Sequence, residues 1–321
     1  IEVTVFSRLS DKVIALLQQA GIRGDCNKLI DIVYVYRRLR KADTLIIIGG
    51  PFFETWHQML SIYVLLLLAK LTKTKVITFA TTLFPLHTTA GKIFYRYACS
   101  RLSIISSRDD KAEQVLRANG INEPLYPLID PRYMLQASGK NRVTEILRAE
   151  GVDPDKPYIA ITTRHLHDDM PDWVKHHHEY TAEIAQQSYA NLAAVFGELA
   201  KKYQLVIVPM HPSLKEDYAT AELLFSAADS NCTVLKKRYT PFDIIGIFHG
   251  SQFSVQSRLG STVFSVVAGS PFVAISYESR MANWMSANGL SEYCVDWRRI
   301  EPEEVLNKIQ ALSENRNVLK N

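Results

Sequence analysis

Cysteine is scarce in this chain. Cys26, Cys99, Cys232 and Cys294 lie far apart and none forms a CxxC pair. That excludes a small disulfide-built scaffold, gives no zinc-site spacing, and suits a reducing compartment. Long apolar runs are missing too. Ile62 to Ala69 is apolar throughout, but Lys70-Leu71-Thr72-Lys73 follows at once, well short of the ~20 residues a membrane span requires. A buried helix is expected there. Charge of one sign is also lacking: 37 Lys and Arg against 33 Asp and Glu leave a net +4, too mild to imply nucleic-acid binding. The short run Lys236-Lys237-Arg238 reads as a solvated loop. No Walker-type phosphate loop, GxGxxG fingerprint, GxSxG elbow or heptad repeat occurs. The sequence opens on Ile1 in a strand-like pattern without a signal peptide, and targeting is not read from such a start.

What is present is apolar material in short blocks. Hydrophobic residues make up 47% and charged residues 22%, the balance of a globular protein with real cores. Length favours two domains of roughly 150 residues. Continuous apolar strands such as Thr44–Ile48, Lys75–Ala80 and Tyr158–Thr162 alternate with helical stretches such as Glu54–Leu71, Thr89–Cys99 and Gln187–Lys202. Strands that are apolar throughout, rather than alternating, indicate parallel sheets covered on both faces. The pattern breaks in the polar stretch Gln136–Asn141 and restarts after Asp153-Pro154-Asp155-Lys156-Pro157. The expected architecture is therefore α/β: two Rossmann-like domains, 1–140 and 141–321, with parallel sheets facing a central cleft.

In open parallel sheets ligands bind beyond the carboxyl ends of the strands, which selects the loops that matter. Residues 252–277 stand out. A short strand ends in Ser257-Arg258-Leu259-Gly260, an apolar helix follows, and Gly269-Ser270-Pro271 leads into the next strand. Arg258 thus falls where free backbone N–H groups and a guanidinium can converge on an anion, and Gly260 permits close backbone approach. Arg164 follows Tyr158–Thr162 in the same way. Guanidinium binds carboxylate or phosphate bidentately, as lysine does not; the alternative for either arginine is a structural cap on neighbouring carbonyls. Glu54 lies just beyond Gly49-Gly50 and reads as a proton donor or base, or as a carboxylate favoured by a helix start. His57 reads as helix surface or core. His87, His211, Tyr277 and Arg280 sit on other strand-end loops. His165, His167, Asp168, Asp169 and His176-His177-His178 form a polar segment with Pro171 and Trp173, read as a solvated flap rather than a metal site.

Taken in order, several of these segments resemble the polysaccharide pyruvyl transferase family. They are Ala42–Gly50, Ser107-Arg108-Asp109 with Asn119-Gly120-Ile121, Ile129-Asp130-Pro131, Val208–Pro212 with Asp217, Ser257-Arg258-Leu259, and Gly269-Ser270-Pro271 with Ser276, Tyr277 and Arg280. The resemblance implies a glycosyltransferase-B-like (GT-B-like) fold and transfer of the enolpyruvyl part of phosphoenolpyruvate onto sugar hydroxyls as a ketal. Of the residues singled out above, Glu54, Arg258 and His211 are assigned catalytic roles. Arg164, Leu259, Gly260, Gly49, Gly50, His87, Tyr277 and Arg280 would bind substrate. Phosphoenolpyruvate is the donor, no cofactor or metal is expected, and the acceptor is a carbohydrate or lipid-linked glycan. A cytoplasmic setting at the inner face of a membrane, with peripheral association, fits such an acceptor; nucleic acid does not, and oligomeric state is open. The chain departs from the family where Gly260 replaces a histidine after Arg258-Leu259, and where Arg280 stands for a common lysine. A GT-B glycosyltransferase acting on a nucleotide sugar and a non-catalytic glycan-binding relative are the competing readings.

Overall fold

The computed structural model describes residues 3–6, 24–27, 32–48, 56–81, 89–108, 112–164, 181–210, 217–218, 220–221, 224, 231–277 and 279–314. The chain divides into two compact units, Ile1–Pro131 and Arg132–Asn321.

In the first unit β1 (Val3–Phe6) pairs in parallel with β2 (Gly24–Asn27). There follow α1 (Ile32–Leu39), β3 (Thr44–Ile48), α2 (Trp56–Thr72), β4 (Lys75–Phe79), α3 (Thr89–Cys99), β5 (Ile105–Ser107), α4 (Ala112–Ala118) and β6 (Leu125–Pro127). β3 pairs with β4 and β5 with β6, all parallel, and bridges Ile77–Ile104 and Thr81–Ser107 join β4 to β5. Leu45, Val76 and Ile105 from the strands meet Leu66, Ala69, Tyr95 and Cys99 from α2 and α3 in one core. Burial, reinforced by Glu123, pushes the Cys99 thiol up to about 12, and burial does the same to Cys232. Neither is a thiolate at neutral pH.

The helix expected to be buried is covered on one side only. The apolar run in α2 buries Leu65, Leu66, Leu68 and Ala69, but Leu60, Tyr63, Leu67 and Leu71 on the same helix are exposed. A helix apolar on every side has more apolar surface than one sheet face can cover.

The second unit runs α5 (Lys140–Ala149), β7 (Tyr158–Thr162), α6 (Ala182–Ala200), β8 (Gln204–Ile207), β9 (Cys232–Val234), α7 (Pro241–Gly250) and β10 (Ser254–Gln256). It continues with α8 (Leu259–Ala268), β11 (Phe272–Ser276), α9 (Ser279–Ala287), β12 (Cys294–Asp296) and α10 (Pro302–Glu314). Its six strands form one parallel sheet in the order β12-β11-β10-β7-β8-β9. Period-two alternation feeds two layers. Ile159, Ile161, Leu205 and Ile207 pack with α6, α9 and α10. Tyr158, Ala160 and Val206 pack with α5, α7 and α8. Every residue of β7 and of β11 is buried, which explains why these strands lack polar alternation. The segment 132–140, grouped by sequence with the first half, bonds into the second unit. The Ser138 N–H donates to the Phe242 carbonyl (2.9 Å) and its hydroxyl to Asp243 (2.8 Å).

The strand order of the second unit contains a point of reversal. From β7 the chain proceeds outward through β8 and β9, while β10, β11 and β12 build in the opposite direction. The order reverses between β7 and β10, and the crevice outside the carboxyl ends of two such strands is the binding position of open α/β sheets.

Candidate functional site

β7 and β10 are hydrogen-bonded neighbours with Ile161 opposite Val255 and Thr162 opposite Gln256. Two residues beyond that register come Arg164 and Arg258. The two arginines singled out from sequence therefore leave adjacent strands at the same level, at the point of reversal.

Arg258 occupies the N-cap of α8 in extended conformation, and that helix has no side-chain cap among the described residues. α6 and α7, by contrast, carry the threonine caps Thr181 and Thr240. An arginine at the positive end of a helix is electrostatically unfavourable on its own, whereas an anion there is favoured by both the macrodipole and the guanidinium. The guanidinium is not loose. Its Nε–H donates to the Thr163 carbonyl at 2.9 Å and Nη2 to Asp217 Oδ1 at 2.5 Å. The Asp217 side chain is 1% exposed and that of Arg258 14%. Asp217 Oδ2 in turn accepts the Met210 N–H at 2.7 Å. The capping alternative is thus partly realised, but among the described residues it engages two of the five N–H donors of a guanidinium.

Below the helix start lies a buried polar network. The Thr162 hydroxyl donates to Gln256 Oε1 (2.7 Å) and sits 2.9 Å from Ser261 Oγ. Ser261 donates to the Arg258 carbonyl (2.8 Å), and the Gln256 amide donates to Ser265 Oγ (2.8 Å). All four side chains are fully buried. Satisfied networks of this kind fix geometry, here the angle at which β10 turns into α8. Thr163 Oγ1, also buried, makes no hydrogen bond among the described residues.

Arg164 and Tyr277 leave the strands on either side of β10, and the guanidinium carbon stands 5.8 Å from the ring centroid. Leu259 and Gly260 form the half-buried first turn of α8. Arg280 lies in the first turn of α9, half-buried. Glu54, Gly49, Gly50, His87 and His211 fall outside the described residues, as does the histidine-rich segment 165–178.

Sequence reasoning missed two participants. Asp217 entered only as a motif match, not as the counter-ion of Arg258. Arg132 was not foreseen: a Cβ built on Gly260 would lie 3.1 Å from its Nη1, so a guanidinium occupies the space that a side chain at 260 would enter. No local pattern announces a contact spanning that much sequence. A surface depression of about 940 Å³ lined by Glu292, Glu301, Glu303, Glu304 and Lys308 is acidic at the start of α10 and unsuited to an anion.

Among solved structures the chain is similar to the UDP-GlcNAc 2-epimerase of Neisseria meningitidis bound to UDP-GlcNAc, at 12% identity and TM-score 0.63, over 99% of this chain and 85% of that one. It is similar to a putative UDP-N-acetylglucosamine 2-epimerase of Listeria monocytogenes, at 11% identity and TM-score 0.62, over 99% and 81%. It is also similar to the ADP-heptose heptosyltransferase II of E. coli, at 14% identity and TM-score 0.53, over 99% and 90%. At such identities the likeness establishes the fold, which is GT-B. Among curated proteins none is similar at a significant level. The family profile "Polysaccharide pyruvyl transferase" matches residues 10–279. Arg258, Asp217 and the Arg108–Asp130 ion pair (2.8 Å) all lie inside that span, and the chain belongs to the polysaccharide pyruvyl transferase family.

Proposed function

We propose that the protein transfers the enolpyruvyl group of phosphoenolpyruvate to a glycan of the cell surface or its lipid-linked precursor, forming a pyruvate ketal. The observation that carries this reading is the placement of Arg164 and Arg258 at one level of the strand reversal, beside a helix start without a side-chain cap. A small donor bearing a carboxylate and a phosphate suits two planar cations and the N–H groups of that turn. In the reaction the methylene carbon takes a proton and the adjacent carbon gains two sugar oxygens. Inorganic phosphate leaves, carrying the second hydroxyl proton. The arginines hold charge and orient the donor, and they stabilise the departing phosphate. Glu54 and His211 remain the proposed acid and base. The expected setting is cytoplasmic, and no cofactor is invoked.

Because the N. meningitidis neighbour is bound to UDP-GlcNAc, the discriminating experiment sets phosphoenolpyruvate against UDP sugars in thermal unfolding. Phosphoenolpyruvate at a hundredfold excess over its Kd is expected to stabilise by about 2.7 kcal/mol, a rise of roughly 5–10 °C. A rise with UDP sugars and none with phosphoenolpyruvate overturns the proposal. Phosphate release that requires a glycan acceptor separates turnover from mere binding.

Gly260→His is expected to shift phosphoenolpyruvate affinity by about tenfold, as expected when a charge-assisted contact is displaced or replaced. The new ring meets the Arg132 guanidinium, the far end of a side chain rather than backbone, so the fold is expected to be retained. Unchanged affinity in calorimetry would show that position 260 does not face the donor.

A further inference from the structure

The exposed face of α2 is anomalous for a water-facing helix. Leu60 (63% exposed), Tyr63 (38%), Leu67 (37%) and Leu71 (63%) recur at i, i+3, i+7 and i+11, which places them on one side of the helix. The stripe extends onto α3. The Tyr63 ring lies 5.8 Å from Phe94 and 5.2 Å from Tyr97, and Ile93 beside them is 64% exposed. Cations border it. Lys70 falls between Leu67 and Leu71, Lys92 adjoins Ile93, Lys73 follows α2, and all three lysines are exposed. The Arg101 guanidinium stands 5.2 Å from the Tyr97 ring. Over residues 32–108 there are eleven Lys and Arg (37, 38, 40, 41, 70, 73, 75, 92, 96, 101, 108) against Asp43 and Glu54, a net of 11 − 2 = +9. With +4 for the whole chain, the remainder carries 4 − 9 = −5.

We infer that this α2–α3 face docks on an anionic lipid surface. No helix among the described residues is long and apolar enough to cross a membrane, so the stripe would lie in the interfacial plane. Leucine and isoleucine side chains would enter the acyl boundary, with lysine ammonium groups at the lipid phosphates. A second copy of the chain is the poorer occupant, because two such faces brought together would oppose cation to cation. The inference uses none of the donor-site residues and stands or falls apart from the proposed reaction.

Co-sedimentation of the full chain with phosphatidylcholine vesicles, and with phosphatidylcholine–phosphatidylglycerol (7:3) vesicles, tests it. Binding is expected to the anionic vesicles, at least tenfold weaker to the neutral ones, and falling as sodium chloride rises from 0.05 to 0.5 M. Lys70→Gln and Lys73→Gln should each weaken anionic binding about fivefold. Leu60→Ser/Leu71→Ser/Ile93→Ser should weaken it by about a hundredfold or more. All three of those residues are mostly solvent-facing, so an unchanged melting temperature confirms that the variant folds. Absence of binding to the anionic vesicles, or equal binding by the triple variant, overturns the inference. Loss of a dimer in the triple variant by sedimentation velocity, with no vesicle binding by the parent, assigns the face to a second copy instead.

Discussion

Arg258→Ala is expected to weaken phosphoenolpyruvate binding severely. The guanidinium is held from behind by the Thr163 carbonyl and by Asp217, so its plane is set in advance, and under the proposed function the remaining N–H donors would meet the donor without a further ordering cost. Truncating one partner of a buried charged contact costs about 2–5 kcal/mol, a loss of roughly thirtyfold to several thousandfold in affinity. Arg258→Lys keeps the charge but not the fork, and is expected to recover only part of the loss. Because Arg258→Ala also strands a buried carboxylate, Arg258→Ala/Asp217→Ala is the companion variant, since it removes both charges together. Calorimetric titration with phosphoenolpyruvate at fixed salt reads the result. If the folded double variant still binds like the parent, Arg258 serves structure alone and the donor site lies elsewhere.

The parts of this arrangement that were legible in the sequence share a physical basis. Tyr158–Thr162 and Thr89–Cys99 were bounded residue for residue, because a strand buried on both faces and a strongly amphipathic helix each leave an unambiguous pattern. Gly120, just past the end of α4, has φ +69°, the left-handed conformation of a C-terminal cap. The strands that escaped notice were Gly24–Asn27, Leu125–Pro127 and Cys294–Asp296. They are three or four residues long and contain Gly, Pro or Asp, so they offer too few apolar positions to show a period. The surface stripe of α2 was illegible for the opposite reason. Where every position is apolar, sequence does not say which side is covered. At the site, Arg164 and Arg258 could be placed because strand ends are readable and the parallel register then aligns them. Their surroundings could not be. The Asp217 counter-ion, the Arg132–Gly260 contact and the Thr162–Gln256–Ser261–Ser265 network all join residues distant in the chain, and the buried serines and threonines look in sequence like ordinary interruptions of apolar strands and helices.

Asp217→Ala is expected to destabilise the second unit strongly. Its carboxylate is all but sealed from water, and its two oxygens serve different partners. Oδ1 holds Arg258, and Oδ2 holds the Met210 amide just beyond β8. One side chain thereby ties the loop after β8 to the loop after β10, across the end of β7, which lies between them. Alanine leaves a nearly buried guanidinium without its counter-charge and an amide without its acceptor. Breaking a buried pair from one side costs about 3–5 kcal/mol, a fall in melting temperature of roughly 6–20 °C for a unit of this size. Asp217→Asn keeps an acceptor for one of the two donors and should fall between the alanine variant and the parent. The size of the effect also bears on ligand binding. If the pair serves to aim Arg258, Asp217→Asn should weaken phosphoenolpyruvate binding more than its modest loss of stability explains, since a neutral amide neither orients nor charge-compensates the guanidinium. A melting temperature for Asp217→Ala within about 2 °C of the parent, set against the loss expected from a broken buried pair, would mean that Arg258 finds another partner. The bridge between the two loops would then not be what holds the arginine at the helix start.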